Sequence, residues 1–516
     1  MTEGQRIAVA VVCALAWLLW VTLLIARHRR ELIAVRRQQQ AQPQGSVLIA
    51  YASQSGTAAA LARQSAEHLR PSQPVTLLPL SLVTSQTLQA AHKALFVVST
   101  YGEGEPPDNG QRFARNYLTG ACGDAAALDL SHLSYSVVAL GDSTYERFCA
   151  FGQRLFDGMA QLGAKALEPL YKVDSAREEV SGIGSGIASA MPAWFCGSQP
   201  AVKTRSNATT TWWRLAQRTL LNPGSPGAPL FELTLRAVSD LPKWRAGDVF
   251  VVQPRQQRAA VVRWLASHDL QATRWMVTGG RGQTLQAWLR DRALPDAGFD
   301  REKLMGGDLS EFPLLPVREY SVASGNEEKA LKLIVRQQFS DEGRLGLGSG
   351  WLTEYCELGE LFSGYLRENG NCHTPDHRRP LLLIGAGSGL AGLRAQLAER
   401  AAQANSGPVW LVFGERCPDT DRLLAREMDN WLRQGTLARC DRIFSRGERS
   451  EFRYVQEFLA AREQELRTFV SRDADIYVCG NRTGMGEGVH RVLKQLLGEQ
   501  EVETLLESGR YRRDLY

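Results

Sequence analysis

The chain has 516 residues, a formal net charge of +5 and an apolar content of 44%, so it is too long for one core and should divide into about three globular domains. So mild a positive balance gives no case for nucleic-acid binding. Nine cysteines are scattered without a C-x-x-C pair or a Cys/His cluster, which argues against zinc, an iron–sulfur cluster or a disulfide framework and for a reducing compartment.

Ile7 to Ile25 is an apolar run of 19 residues whose only polar member is Thr22, long enough to cross a bilayer as a helix. Arg27, His28, Arg29, Arg30, Arg36 and Arg37 follow it, against Arg6 in front. The positive-inside rule therefore predicts a single-pass anchor over 1–45 in the inner (cytoplasmic) membrane, with the other domains in the cytoplasm. Basic charge directly after the apolar core and the lack of a small-x-small site oppose a cleaved signal peptide.

Val47 to Tyr51 reads as a buried parallel strand that opens into Ser53-Gln54-Ser55-Gly56-Thr57, with a helical pattern beginning near Ala58. Hydroxyls and N–H groups at a helix start cradle phosphate. The absence of a Lys for a triphosphate favours a monophosphate bound without metal, and FMN fits. The strand Ala94 to Ser99 ends in Thr100-Tyr101-Gly102-Glu103-Gly104, and Ser136 to Leu140 ends in Gly141-Asp142-Ser143-Thr144-Tyr145. Such loops converge on the ligand crevice of a doubly wound sheet, where Tyr101 and Tyr145 can sandwich a flat ring. Glu103, Glu105, Asp108, Asp142 and Glu146 would form an acidic rim that faces a basic acceptor, is merely solvated, or faces the chain's own basic half.

Residues 46–196 resemble the flavodoxin domain of the diflavin reductases, the family of NADPH–haemoprotein reductase and the flavoprotein subunit of sulfite reductase. The resemblance implies that Ser53, Gln54, Ser55, Gly56 and Thr57 hold the FMN phosphate and that Ser99, Thr100, Tyr101, Gly102, Gly104 and Tyr145 surround the ring. Leu140, Gly141, Asp142, Arg147, Phe148, Cys149 and Asp174 would complete that pocket. The stretch from Ala139 to Tyr145, followed by Phe148-Cys149, is most similar to the sulfite reductase branch.

Gly197 to Thr211, rich in Ser, Thr, Asn and Pro, reads as a flexible linker spanning about 20 Å, set at 197–212. Strand-like runs at Leu230 to Arg236 and Val249 to Gln253 suit a ferredoxin-reductase-like barrel over 213–374. Val261 to Ser267 and Leu285 to Arg292 read as short helices of an insert that looks cut to roughly half the family's length. Arg318-Glu319-Tyr320-Ser321 then offers a guanidinium for a pyrophosphate, a ring for an isoalloxazine and a hydroxyl for its redox-active nitrogen. Gly346-Leu347-Gly348-Ser349 adds backbone N–H groups at a helix start. Together they indicate FAD.

From 375 to 516 the order resembles the family's NADPH module: Gly385-Ala386-Gly387-Ser388-Gly389 after a buried strand, then Arg416, Ser445-Arg446, Tyr454-Val455-Gln456, Cys479-Gly480 and Met485. By that resemblance Gly387, Ser388, Arg416, Ser445, Arg446, Arg453, Tyr454, Gln456 and Met485 bind NADPH. Ser321, Cys479 and Asp514 would be catalytic, with Tyr516 covering the FAD ring. Phe452 stands where the family has a Lys for the 2′-phosphate, leaving Arg446 with Arg449 or Arg453 for that charge. Gly392 stands where the family usually has Pro, which suggests a looser helix entry.

The fold class expected is thus α/β plus β-barrel: a transmembrane helix, a flavodoxin-like doubly wound domain, an FAD barrel and an NADP-binding α/β domain. The activity implied is electron transfer from NADPH through FAD and FMN to a haem- or iron-containing acceptor protein, membrane-bound or soluble. A sulfite reductase flavoprotein subunit, a membrane ferric-siderophore reductase component and a membrane-tethered flavin sensor without turnover are the alternatives. No catalytic metal and no nucleic acid are called for.

Overall fold

The structure is a computed structural model that describes residues 46–54, 56–101, 104–118, 128–141, 147–174, 211–278, 281–295, 298–447 and 450–516. The anchor segment 1–45, the linker up to 210, Ser55, Gly102, Glu103, Asp142, Tyr145, Glu146 and Arg449 lie outside the described residues.

The first module is a parallel sheet. Its strands are β1 (Val47–Ala52), β2 (Val75–Pro79), β3 (Lys93–Ser99), β4 (Ser134–Gly141), β5 (Lys165–Ala166) and β6 (Tyr171–Asp174), in the order β2-β1-β3-β4-β5 with β6 also on β4. β1, β3 and β4 are near-continuous apolar runs because both of their faces are covered. One face packs Leu48, Phe96 and Tyr135 with Phe151 and Leu155, the other Ile49, Val97 and Val138 with Leu61 and Ala62. The register pairs Ala52 with Val98, Ser99 with Leu140 and Gly141 with Asp174, so the loops after these strands meet at one edge.

The second module is an antiparallel six-stranded sheet, β12-β9-β14-β7-β8-β13. It comprises β7 (Thr211–Leu220), β8 (Leu230–Ala237), β9 (Val249–Val252), β12 (Arg318–Ser321), β13 (Leu331–Arg336) and β14 (Leu361–Arg367). Its end strands β12 and β13 pack against each other, which curls the sheet around Trp213, Phe250, Leu333 and Trp351. β7 begins at Thr211, so the end of the segment read as linker is strand. The insert between β9 and β12 holds helices Arg258–Ser267, Leu285–Leu289 and Arg301–Met305 and a hairpin, β10 (Trp275–Thr278) with β11 (Arg281–Thr284). It closes on its own core of Leu265, Leu285, Leu304 and Phe312.

The third module is parallel again, with β15 (Leu381–Ala386), β16 (Val409–Glu415), β17 (Leu437–Phe444), β18 (Asp475–Gly480) and β19 (Tyr511–Leu515) in the order β17-β16-β15-β18-β19. Helices cover both faces, as in dinucleotide-binding sheets. Its helix Leu390–Ala401 carries the fully buried Arg394, whose guanidinium is forked between Glu328 of the second module (2.8 and 2.9 Å) and Glu427 (2.6 and 2.9 Å) and also donates to the Ala323 carbonyl at 2.6 Å. This pairing fixes the third module on the second.

The expected transmembrane fold and inner-membrane localisation are corrected: among the described residues no helix is long and apolar enough to cross a membrane, and the Ile7–Ile25 run lies outside them. The fold class that stands is α/β plus antiparallel barrel. Arg394→Ala should strand two carboxylates at the interface and cost about 3–5 kcal/mol, read as a lower midpoint for thermal release of the second module from the third. An unchanged midpoint would show the fork to be incidental.

Candidate active site

The second and third modules meet at the carboxyl ends of their strands. β19 lies beside β18 with Asp514 opposite Cys479, and Tyr477, two residues earlier on β18, shares the face of Cys479. Three donors converge on one oxygen: Ser321 Oγ at 2.8 Å, Tyr477 Oη at 3.0 Å and Cys479 Sγ at 3.4 Å all reach Asp514 Oδ2. Burial lifts the Asp514 carboxyl above its usual range, while hydrogen bonds from Ser321, Cys479 and Tyr477 oppose that shift. Burial, reinforced by the neighbouring Asp514, pushes the Cys479 thiol well up, so it stays protonated and donates.

Of these groups Ser321 and Asp514 line a cleft of about 470 Å³, together with Arg318, Tyr320, Gly346 to Ser349, Ser388 and Tyr516, while Tyr477 and Cys479 are buried behind Asp514. The strap after Gly346 lies directly on β12: a Cβ on Gly348 would sit 2.5 Å from Arg318 Cγ and 3.1 Å from Tyr320 Oη. Arg318 donates to the carbonyls of Pro316 and Val317 at 2.9 and 3.0 Å, and no ion pair to it forms among the described residues. A cation held by carbonyls beside backbone N–H groups suits a diphosphate. The terminal Tyr516 closes the cleft, its Oη donating to Ser388 Oγ at 2.9 Å. Gly387 has φ +60, and a Cβ on Gly389 would fall 2.0 Å from the Cys479 carbonyl oxygen, so this turn admits no side chains against β18.

Gly392 lies buried in the first turn of Leu390–Ala401, and its lack of a side chain has a packing reason: a Cβ would lie 2.7 Å from Tyr477 Oη and 2.9 Å from Cys479 Sγ.

Along the outer edge, Ser445 N donates to the Glu415 carbonyl at 2.9 Å and Arg446 N to that of Arg416 at 2.8 Å, which brings the ends of β16 and β17 together. Arg446 and Arg453 are exposed, and no ion pair to either forms among the described residues; Tyr454 is exposed nearby in sequence. Arg416 instead turns toward the barrel, its guanidinium 2.9 Å from where a Gly227 Cβ would be. Gln456 lies against Gly488 and Met485 against Gly480. Phe452 packs into the third module's core against Phe458.

In the first module Ser53 is buried, its Oγ accepting from Ala58 N at 3.1 Å and its N donating to Asn109 Oδ1 at 3.0 Å. Gly56, at φ +90, opens helix Thr57–Leu69, and the Glu368 carbonyl lies 2.8 Å from where its Cβ would be. Ser99 donates to the Ala52 carbonyl, and Thr100 N to that of Leu140. Phe148 and Cys149 pack on Gly141, and Arg147 on Gly104. Cys149 takes φ +56 ahead of helix Ala150–Gln161, and burial raises its thiol to about 12. Tyr101 Oη and Asn109 Nδ2 are buried with no partner among the described residues; such groups beside a phosphate-type loop fit an FMN site.

Gln54 and Asp108 serve a contact that the sequence leaves unread. Gln54 Nε2 donates to Asp108 Oδ2 at 3.1 Å and to the Arg513 carbonyl at 3.0 Å. Arg513, buried, grips the same Asp108 carboxylate through Nε at 3.2 Å and through its other guanidinium nitrogen. Arg513 and Arg482 also lie 5.7 and 5.6 Å from the Tyr101 ring centre. Asp108 thus faces the chain's own reductase half. Arg513→Met should raise the radius of gyration and slow reduction of an added cytochrome by about 10-fold, since a buried pair is broken. NADPH oxidation by ferricyanide should change less than about 2-fold. Equal losses in both assays would separate the pair from module docking.

A flavodoxin-like sheet, a flavin-type cleft and a dinucleotide-binding sheet in one chain define a flavin-dependent nicotinamide oxidoreductase. The Flavodoxin family matches residues 49–181 and the Oxidoreductase NAD-binding domain family residues 383–491. The chain is similar to the sulfite reductase [NADPH] flavoprotein alpha-component of Bacillus subtilis (strain 168), 27% identical over 544 residues, covering 91% of this chain and 89% of that protein. The same component of Shewanella sp. (strain MR-7) is 27% identical over 593 residues, covering 97% and 95%, and that of Vibrio cholerae 25% over 545 residues, covering 92% and 88%. These matches support placing the chain with the diflavin reductases, as an NADPH-dependent oxidoreductase that uses FMN and FAD. The relatives' names give no support to a membrane location.

Proposed function

We propose that the chain takes electrons from NADPH at the Ser321–Cys479–Asp514 cleft and delivers them from its flavodoxin module to a haem- or iron-containing acceptor protein. The convergence of Ser321 and Cys479 on Asp514 carries this reading, because it puts a hydroxyl, a thiol and a carboxylate from two modules at the end of β12, beside the cleft that Arg318 and Tyr320 line. Bound there, FAD would accept an electron pair from the nicotinamide and release it singly to FMN. Ser321 and Asp514 orient and hydrogen-bond the reacting face, Cys479 packs it, and Tyr516 must leave Ser388 to admit the nicotinamide. Arg318, Tyr320 and Gly346 to Ser349 would hold FAD. Ser53, Gly56, Thr57 and Tyr101 would hold FMN, with Gln54 acting from the module contact. The relatives' names favour a sulfite-reducing partner as the acceptor, with this chain as its flavoprotein component.

Asp514→Asn should lower kcat with ferricyanide about 10- to 100-fold, the value of a charge-assisted bond, while both flavins stay bound. Loss of FAD instead would make the residue structural. Arg446 and Arg453, exposed and free of ion pairs among the described residues, suit a 2′-phosphate. Arg446→Ala should cut kcat/KM for NADPH by about 10- to 100-fold and leave NADH nearly unchanged. Equal losses for the two nucleotides would remove the phosphate role. Sulfite reduction on adding a sirohaem protein, and none with other haem proteins, would fix the acceptor.

A further inference from the structure

Tyr477 has no part in the reaction as described so far. It is fully buried, and its hydroxyl enters the Asp514 site between Cys479, two residues along its own strand, and the helix Leu390–Ala401. Its hydroxyl has room only because residue 392 is glycine: any Cβ there would stand 2.7 Å from Tyr477 Oη and 3.2 Å from Asp514 Oδ2. A buried carboxylate oxygen takes its direction from the donors that hold it. Ser321 must be free to turn toward a reacting group, and a thiol is a weak donor. That leaves the Tyr477 hydroxyl as the strong donor with no other task.

We propose that Tyr477 is a positioning residue that fixes the Asp514 carboxylate, through its hydroxyl on Oδ2, in the orientation from which Asp514 addresses Ser321. Gly392 is the second half of this device, since it supplies the space. The titratable groups that act on this site are Tyr477 and Cys479 on β18, Cys372 from the turn Gly370–Cys372, and Tyr516 just past the end of β19. Arg513 faces away, toward Asp108.

The sign of the pH effect follows. Burial raises the Asp514 carboxyl in the folded protein, so ionising it disfavours folding, and the loss grows as pH rises toward the folded value. A hydroxyl donor offsets part of that loss only where Asp514 is ionised. Removing it should hurt most at high pH.

The test uses the full-length holoenzyme and Tyr477→Phe, which keeps the ring. Thermal release of FAD fluorescence is followed from about pH 5 to about pH 9 in wild type, Tyr477→Phe, Asp514→Asn and the double variant. The deficit of Tyr477→Phe should widen by about 2–5 °C across that range and become flat in the Asp514→Asn background. The acid limb of kcat/KM for NADPH with ferricyanide should move to higher pH, with a loss of roughly 10-fold. Gly392→Ala, whose Cβ would crowd the Tyr477 hydroxyl most closely and also Cys479 Sγ and Asp514 Oδ2 while leaving all three residues in place, should reproduce the moved limb. A deficit that is constant with pH and equal in both backgrounds, or an acid limb unmoved in both variants, would overturn the proposal and leave Tyr477 a core residue. The kinetic arm rests on the proposed NADPH chemistry, whereas the thermal arm does not. Failure of turnover in the wild type would therefore strike that reading and leave the positioning role still measurable.

Discussion

The alternation of side chains along one short strand sets the layout of this molecule. β19 is the last element of the chain, and neighbouring residues on a strand point to opposite faces. Asp514 therefore enters the cleft shared by the second and third modules, while Arg513 reaches the first module and closes on Asp108 beneath Tyr101. A single residue of backbone separates the site that would receive the nicotinamide from the clamp on the FMN loops. Displacing β19 along its own axis by one residue would exchange the two faces, so its pairing with β18, which sets Cys479 beside Asp514, is the constraint on which both sites depend.

Both sites hold charge in low-dielectric surroundings, and they meet its cost differently. Asp514 is compensated by neutral donors, an arrangement that leaves its carboxyl raised and responsive to the loss of any one of them. Arg513 and Arg394 are compensated by carboxylates in forked geometry, which favours a fixed contact. The chemistry sits on the adjustable arrangement and the module contacts on the fixed ones. Where Arg394 joins the second and third modules, the contact is also backed by packed apolar surface. The Arg513 contact with the first module is polar and supplemented by exposed pairs such as Arg63–Glu368 and Arg115–Glu503. Exposed pairs of that kind add little each, so this interface is the one suited to opening.

Much of this was legible in the sequence. The strand-then-loop pattern of Val47 to Thr57 and of Leu381 to Ser388 follows from burial on both faces of a parallel sheet, and the structure has those strands. Ser321, Cys479 and Asp514, each singled out in the sequence, lie together. β7 went unread because half of its positions face solvent and its start merges with a Ser/Thr-rich segment. The pairing of Asp108 with Arg513 joins residues 405 positions apart, and no local pattern marks such a contact. Tyr477 could have been found from the period of two along β18, which puts it on the face of Cys479. Gly392 read as a departure from a motif, and only the position of the Tyr477 hydroxyl gives it a reason.

In this chain an NADPH-reducible flavin would pass electrons to a second flavin across the β19 contact. Anaerobic titration of the purified full-length protein with NADPH, followed by flavin absorbance and by extraction of FMN and FAD, tests it most directly. FMN and FAD should be recovered in about equal amounts, with an uptake of about two equivalents of NADPH per chain, because each flavin accepts an electron pair. Uptake that stops at about one equivalent while both flavins are present would contradict it, since the first module would then hold its flavin out of reach of the second.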